Sequence, residues 1–128
     1  MNSSKFLKAL NLQSNTTPPV WFMRQAGRYL PEYQEIRKNY TNFLDMCKQP
    51  KTCAELALQP IDRFGLDASI LFSDILTIPD AFNLGLAFHE GEGPKFSNPI
   101  SSAEDITHLD TFDVNTLDYV FKAVEETK

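Results

Sequence analysis

The stretch Val20 to Tyr29, VWFMRQAGRY, carries the strongest fold signal in this 128-residue chain. Four bulky residues without polar alternation, Val20 to Met23, predict a short strand buried on both faces. Two arginines follow at once, although the chain has a formal net charge of -5 at pH 7. In an α/β fold, residues just past the carboxyl end of an inner strand face the crevice where ligands bind. The pattern therefore predicts a strand that presents Arg24 and Arg28 to such a crevice.

The arginines of the chain are concentrated after this strand. Arg37 follows Arg24 and Arg28, which leaves only Arg63 elsewhere. A guanidinium group is a planar fork of donors that holds a carboxylate or phosphate through two hydrogen bonds. The cluster thus fits an acidic ligand such as a polycarboxylate. A second interpretation stays open, in which these arginines form surface ion pairs with glutamates 32 and 35 or with nearby aspartates.

Outward from this strand, the sequence predicts an α/β pattern. Residues 1–18 form a short amphipathic helix, capped by Ser3 or Ser4, and a polar linker. Residues 19–128 hold the first strands, helices and hairpin of a single domain. The predicted helices are one from Pro31 with Tyr33, Ile36 and Tyr40, one with Phe43, Leu44 and Cys47, one capped by Thr52 and Glu55 and kinked or restarted at Pro60, and one capped by Ser101 and Glu104.

A second buried strand is predicted from Asp67 to Phe72. Two extended arms, Leu84 to His89 and Lys95 to Ile100, flank a turn at Gly91 to Pro94. The last helix places Leu117, Val120, Phe121 and Val124 on one face. No glycine, asparagine or proline ends it, and two parallel strands alone leave unpaired edges. We therefore expect an N-terminal piece of a larger domain.

Asp74 directly follows the second predicted strand and lies between two apolar runs. A carboxylate in such a setting requires a partner that satisfies it. One interpretation is a helix or loop cap, a common role for aspartate. The other is a preorganised negative charge at the end of a strand, directed at a cation or at N–H donors. The sequence leaves both open.

Composition excludes several classes of protein. An acidic chain is a poor general binder of nucleic acids or membrane surfaces, and no apolar run approaches the roughly 20 residues that span a bilayer. The N-terminus is too polar for a secretory signal. Cys47 and Cys53 form no disulfide framework or zinc pattern and are predicted to be buried helix residues. A cytoplasmic protein is expected.

Three segments resemble the uroporphyrinogen decarboxylase family: PVWFMRQAGRYLPEY (Pro19 to Tyr33), LALQPIDRFGLDASILFSDILTIPDA (Leu56 to Ala81) and GEGPKF (Gly91 to Phe96). The resemblance implies the N-terminal portion of a (β/α)₈ TIM barrel, incomplete in this chain. It also implies a homodimeric enzyme of haem biosynthesis without metal or organic cofactor, which converts uroporphyrinogen III to coproporphyrinogen III. By position, the resemblance assigns a substrate loop to Arg24, Gln25, Ala26, Gly27 and Arg28, further substrate contacts to Arg37 and Phe43, and the catalytic carboxylate to Asp74.

The remaining site residues of the family, a tyrosine, a serine or threonine and a histidine, are expected beyond residue 128. The chain alone is therefore expected to be inactive. His89 is interpreted as a strand-end surface residue and His108 as a helix residue. Two other functions stay open. One is a non-catalytic remnant that binds a tetrapyrrole or another anion. The other is a related corrinoid methyltransferase, although such enzymes lack the RQAGR loop that this chain has. The proton donor also stays open.

Overall fold

Helices make up most of the computed structural model, which describes residues 4–22, 29–89, 92–109 and 111–128. The helices are α1 (Lys5–Leu10), α2 (Pro31–Arg37), α3 (Phe43–Cys47), α4 (Pro50–Phe64), α5 (Thr77–Ala81), α6 (Ala103–Thr107) and α7 (Asp118–Thr127), with a 3₁₀ turn at Val114–Leu117. An antiparallel hairpin joins β1 (Leu86–His89) to β2 (Gly93–Phe96). The described chain is thus a mixed arrangement of helices and one hairpin.

Local chemistry sets several helix ends where the sequence predicts them. Ser4 caps α1, since its hydroxyl accepts a hydrogen bond from the Leu7 N–H at 3.2 Å. Pro31 is the first residue of α2, where its fixed φ suits a helix and no N–H is needed. Helix α4 ends at Gly65, whose φ of +63° is left-handed. The starts of α1 and α2 are therefore confirmed, while the glycine that ends α4 is a local signal that the sequence analysis did not use.

The core lies where α2, α3, α4 and α7 meet. Its fully buried side chains include Leu30, Met46, Leu56 and Phe72, and Ala123 brings α7 against this cluster. The Phe72 ring packs against Tyr33 and Phe43, with ring centroids 6.1 and 5.8 Å away. The core therefore holds the segment before Asp74 against α2 and α3.

Neither predicted parallel strand forms in the described part of the chain. Residues 20–22 and 67–72 belong to no strand there, and Met23 lies outside the described residues. One backbone hydrogen bond joins the two segments, from the Asp67 N–H to the Val20 carbonyl at 3.0 Å. Ile70 is 52% exposed, although Phe72 is buried. An inner parallel strand needs partners on both sides and cover on both faces, and the described residues supply neither.

Two of the predicted caps are wrong by a few residues. Helix α4 begins at Pro50 rather than after Thr52, because a proline at the first position starts the helix earlier. The Thr52 hydroxyl instead hydrogen-bonds to the Tyr40 hydroxyl at 2.8 Å. Helix α4 continues through Pro60, so it does not restart there. The cap of α6 is Ser102 with Asp105, one residue beyond the predicted pair.

The hairpin is confirmed, with shorter arms and a shorter turn than predicted. Gly93 and Pro94 belong to β2, where they pair with His89 and Phe88. The predicted face of the last helix is only partly right, because Ala123 is its buried residue while Phe121 and Val124 are 53% and 41% exposed. Packing of α7 on α4 turns a different face of the helix inward.

Candidate functional site

The predicted substrate loop, Arg24 to Arg28, lies outside the described residues. On its carboxyl side, Leu30 is fully buried and begins the entry into α2. On its amino side, Val20 is tied to Asp67, whose carboxylate accepts the Val20 N–H at 2.9 Å. Both ends of the loop are therefore attached to described parts of the fold.

The glutamates suggested as surface partners of the loop arginines bind other cations. Glu32 accepts two hydrogen bonds from Arg63, at 2.8 and 3.0 Å, and Glu35 pairs with Lys38 at 2.6 Å. The Glu32 backbone N–H, followed by the Arg63 guanidinium, lowers the pKa of the Glu32 carboxyl. An ion pair between either glutamate and an arginine of the loop would thus have to compete with these contacts.

Two predicted substrate contacts, Arg37 and Phe43, meet in one cleft of about 330 Å³. The Nη1 of Arg37 donates to the Tyr40 carbonyl at 2.5 Å, which holds the guanidinium at the end of α2. The Phe43 ring lies near both Phe72 and Phe88, with centroids 5.8 and 5.6 Å away. The described residues that line the cleft are Arg37, Thr41, Asn42, Phe43, Phe88 and His89.

The hairpin contributes two lining residues that sequence reasoning did not place in the site. His89 is exposed at the end of β1, as predicted, and Phe88 is half-buried. Burial alternates along Leu86 to His89, with Leu86 and Phe88 on the side of β1 that packs inward, but the sequence alone does not show what lies on that side. His108 directly follows α6, exposed and 3.9 Å from Glu104, and does not line this cleft.

Asp74 closes the turn that leads into α5. Its Oδ1 accepts a hydrogen bond from the Leu76 N–H at 2.8 Å, so the loop-cap interpretation is confirmed. Asp74 is half-buried and is not among the described residues that line the Arg37 cleft. The link between them is Phe72, two residues earlier, which packs on Phe43. This hydrogen bond does not test the catalytic role of Asp74, which stays a prediction.

A tyrosine from α7 lies in the electrostatic surroundings of Asp74. Burial, followed by nearby acidic groups with Asp80 foremost and Asp74 among them, raises the pKa of Tyr119 to about 12. Lys48 forms an ion pair with Asp80 at 2.7 Å and lies 5.9 Å from the Tyr119 ring. Tyr119 therefore stays a neutral phenol at physiological pH.

No group of three or more His, Cys, Asp or Glu side chains in the described ranges has the arrangement of a metal site. Both cysteines are buried helix residues, as predicted, and the Cys53 thiol donates to the Cys47 carbonyl at 3.1 Å. Among the helices described, none has the length and apolar character needed to cross a membrane.

Comparison with known proteins assigns the family. The model of the uroporphyrinogen decarboxylase (URO-D) family matches residues 1–128. The uroporphyrinogen decarboxylases of Vesicomyosocius okutanii and Dichelobacter nodosus are 54% and 53% identical to 98% and 100% of this chain. That of Ralstonia nicotianae is 52% identical over 96% of it. The chain belongs to the uroporphyrinogen decarboxylase family and spans 36%, 37% and 34% of these relatives' lengths.

Proposed function

We propose that the full-length protein containing this chain decarboxylates the four acetate side chains of uroporphyrinogen III to give coproporphyrinogen III. The observation that carries the proposal is the match of the whole chain to proteins named uroporphyrinogen decarboxylase. Residues 1–18 would form the N-terminal helix and linker, and residues 19–128 the first part of a (β/α)₈ barrel. The full-length protein would act as a cytoplasmic homodimer without a cofactor.

The proposed substrate carries eight carboxylates, and the arginines of the chain suit them. Arg24 and Arg28 in the loop and Arg37 in the cleft would bind carboxylates through paired N–H donors. Gln25, Ala26 and Gly27 complete the loop, and its glycine allows the backbone to approach a ligand closely. Among the described residues, the Tyr40 carbonyl accepts from Nη1 of Arg37, and the guanidinium carries further N–H donors for a carboxylate.

Loss of carbon dioxide from an acetate group requires an acceptor for the electron pair of the breaking C–C bond. A pyrrole ring protonated at carbon provides it, since the pair enters the cationic ring as carbon dioxide leaves. Protonation of the resulting exocyclic carbon gives the methyl group, and loss of the ring proton restores the pyrrole. Each acetate thus consumes one proton net. An arginine is a poor donor of that proton because its pKa is very high, and we assign no residue to the step.

Asp74 would stabilise the cationic ring and its N–H groups. The hydrogen bond from Leu76 fixes one carboxylate oxygen, so the charge is held in place before the reaction. Its half-buried position reduces solvent screening of that charge. A preorganised charge of this kind contributes most where positive charge develops in the transition state.

The test compares Asp74→Asn and Asp74→Ala in the full-length protein by conversion of uroporphyrinogen III to coproporphyrinogen III. Both variants lose the charge, but the asparagine oxygen still accepts from the Leu76 N–H. We expect both to lose about a hundredfold or more in kcat. Asp62→Asn, on an exposed part of α4, is the matched control and should retain activity. Near-normal turnover by Asp74→Ala would remove Asp74 from the mechanism.

A further inference from the structure

The cleft that contains Arg37 is formed by two parts of the chain that are distant in sequence. The corner between α2 and α3 supplies Arg37, Thr41, Asn42 and Phe43, and the end of β1 supplies Phe88 and His89. The contact between the Phe43 and Phe88 rings, 5.6 Å between centroids, holds the hairpin against α3. Packing of the hairpin on α3 thus brings His89 to the cleft that Arg37 lines.

We propose that His89 binds a carboxylate of the substrate in this cleft together with Arg37, while Phe43 and Phe88 contact the pyrrole ring that bears it. This inference rests on the proposed function and adds a histidine on the hairpin to the substrate-binding residues. The ligand class is a single pyrrole unit with acidic side chains, held as part of the tetrapyrrole.

The chemistry of the lining selects an anion. Its described residues offer the Arg37 guanidinium, the His89 imidazole, the Asn42 amide and the Thr41 hydroxyl, and none of them is a carboxylate. The His89 ring donates to no acceptor among the described residues, so its N–H can donate to a ligand. The Tyr40 carbonyl anchors only Nη1 of Arg37. The cleft is thus lined by donors from two parts of the chain, Arg37 on α2 and His89 on β1.

The cleft is large enough for one pyrrole ring, which its apolar wall can contact, and too small for all four rings of the tetrapyrrole. Its volume of about 330 Å³ lies at the low end for small-molecule pockets, so it accommodates one substituted pyrrole at a time. The Phe43 and Phe88 rings meet at 56°, and a flat heterocycle can pack against such aromatic surfaces. The rest of the macrocycle would lie outside this cleft.

The experiment measures the Kd of the full-length protein for uroporphyrinogen III, and its KM and kcat, in His89→Ala and Arg37→Ala. His108→Ala is the matched control, because His108 is an exposed histidine outside the cleft. We expect His89→Ala to raise Kd and KM about three- to tenfold with kcat unchanged. His89→Gln, which keeps an N–H donor, should recover part of the loss.

A double variant tests whether the two residues hold the same carboxylate. If they do, Arg37→Ala combined with His89→Ala should weaken binding by less than the product of the two single effects. Independent effects, or a His89→Ala protein that binds like His108→Ala, would overturn the inference. A fall in kcat at unchanged Kd would also overturn it, because His89 would then act outside binding.

The outcomes separate this inference from the proposed function. If the unsubstituted protein binds uroporphyrinogen III but does not decarboxylate it, the proposed function fails and the Kd comparison still decides the role of His89. If decarboxylation proceeds normally and His89→Ala changes nothing, only the inference fails. If the unsubstituted protein does not bind uroporphyrinogen III, both fail.

Discussion

Phe72 is the residue through which the two described parts of the candidate site are connected. Its side chain is 1% exposed and contacts Phe43, which lines the Arg37 cleft. Two residues later, Asp74 begins the turn into α5. A buried ring that touches no proposed ligand thus sets the relation between the cleft and the proposed catalytic carboxylate. Replacing it would alter both at once, which makes Phe72 a poor probe of either.

The glycine before β1 gives a prediction about stability that concerns a single residue. Gly85 has a φ of +70°, and a Cβ there would lie 1.9 Å from the Ser97 Oγ. Gly85→Ala should therefore destabilise the full-length protein by about 1–3 kcal/mol, measured by urea or thermal unfolding. Gly65 has a similar φ of +63° but nothing within 4 Å, so Gly65→Ala carries only the backbone strain and should cost less.

A double variant identifies the cause of the difference. Ser97→Gly removes both the Oγ and the Cβ that the new methyl group would meet. Gly85→Ala should therefore destabilise a protein that already carries Ser97→Gly by less than it destabilises the unsubstituted protein. Equal costs for Gly85→Ala and Gly65→Ala would show that the close approach to Ser97 does not constrain the hairpin.

At the scale of elements, the sequence predicts what local chemistry determines and misses what distant partners determine. Ser4 and Pro31 start helices where expected, because a cap or a fixed φ acts within one turn. The Thr52 cap is wrong because Pro50 starts the same helix earlier. The buried strand at residues 67–72 is absent from the described sheet because strand pairing depends on chain elsewhere.

The site shows the same division. The family resemblance predicts Arg37, Phe43 and Asp74 as site residues, and the structure brings the first two into one cleft. Phe88 and His89 reach that cleft only through the packing of the hairpin on α3, which no local pattern encodes. The clustered arginines indicate an acidic ligand from the sequence alone, whereas the walls of the cleft depend on tertiary contacts.

The attachment of α1 gives a prediction at this scale. Asp67 Oδ2 lies 2.9 Å from Lys5 Nζ and accepts the Val20 N–H at 2.9 Å, so one carboxylate joins α1 and residue 20 to the segment after α4. Asp67→Ala removes both contacts and should lower the melting temperature of the full-length protein. Asp67→Asn retains an acceptor for Val20 and should lower it less. Asp62→Asn serves as the control, because Asp62 is exposed on α4.

The effect of Asp67 should depend on pH in a defined direction. The Lys5 ammonium, followed by the Val20 N–H, holds the pKa of the Asp67 carboxyl below its ordinary value of 3.8. Because the folded-state pKa is the lower one, the stabilisation is complete above 3.8 and is lost as pH falls through the folded-state value. The gap in melting temperature between the unsubstituted protein and Asp67→Asn should thus narrow on acidification. A gap that is constant or widens would contradict this assignment.

At the scale of the whole molecule, the described chain exposes apolar side chains along its last helix. Helix α7 exposes Phe121 and Val124, and Val124 lines a small apolar hollow with Leu71 and Thr127. The relatives are nearly three times as long as this chain, which spans 36% of one of them. Exposed apolar patches mark surfaces that another part of a protein contacts. We therefore infer that the rest of the full-length protein packs against this side of α7.

The effect of a substitution at Val124 on stability should differ between the full-length protein and the isolated 128-residue chain. Val124→Lys should destabilise the full-length protein by about 3 kcal/mol or more, because a covered site would then hold an uncompensated charge. In the isolated 128-residue chain, where Val124 is 41% exposed, the same change should have little effect on stability. Glu126→Lys introduces the same side chain at an exposed position of α7 and should be tolerated in both. Thermal unfolding of the four variant proteins measures the difference, and a Val124→Lys effect that is equally small at both lengths would show that this side of α7 stays open to solvent.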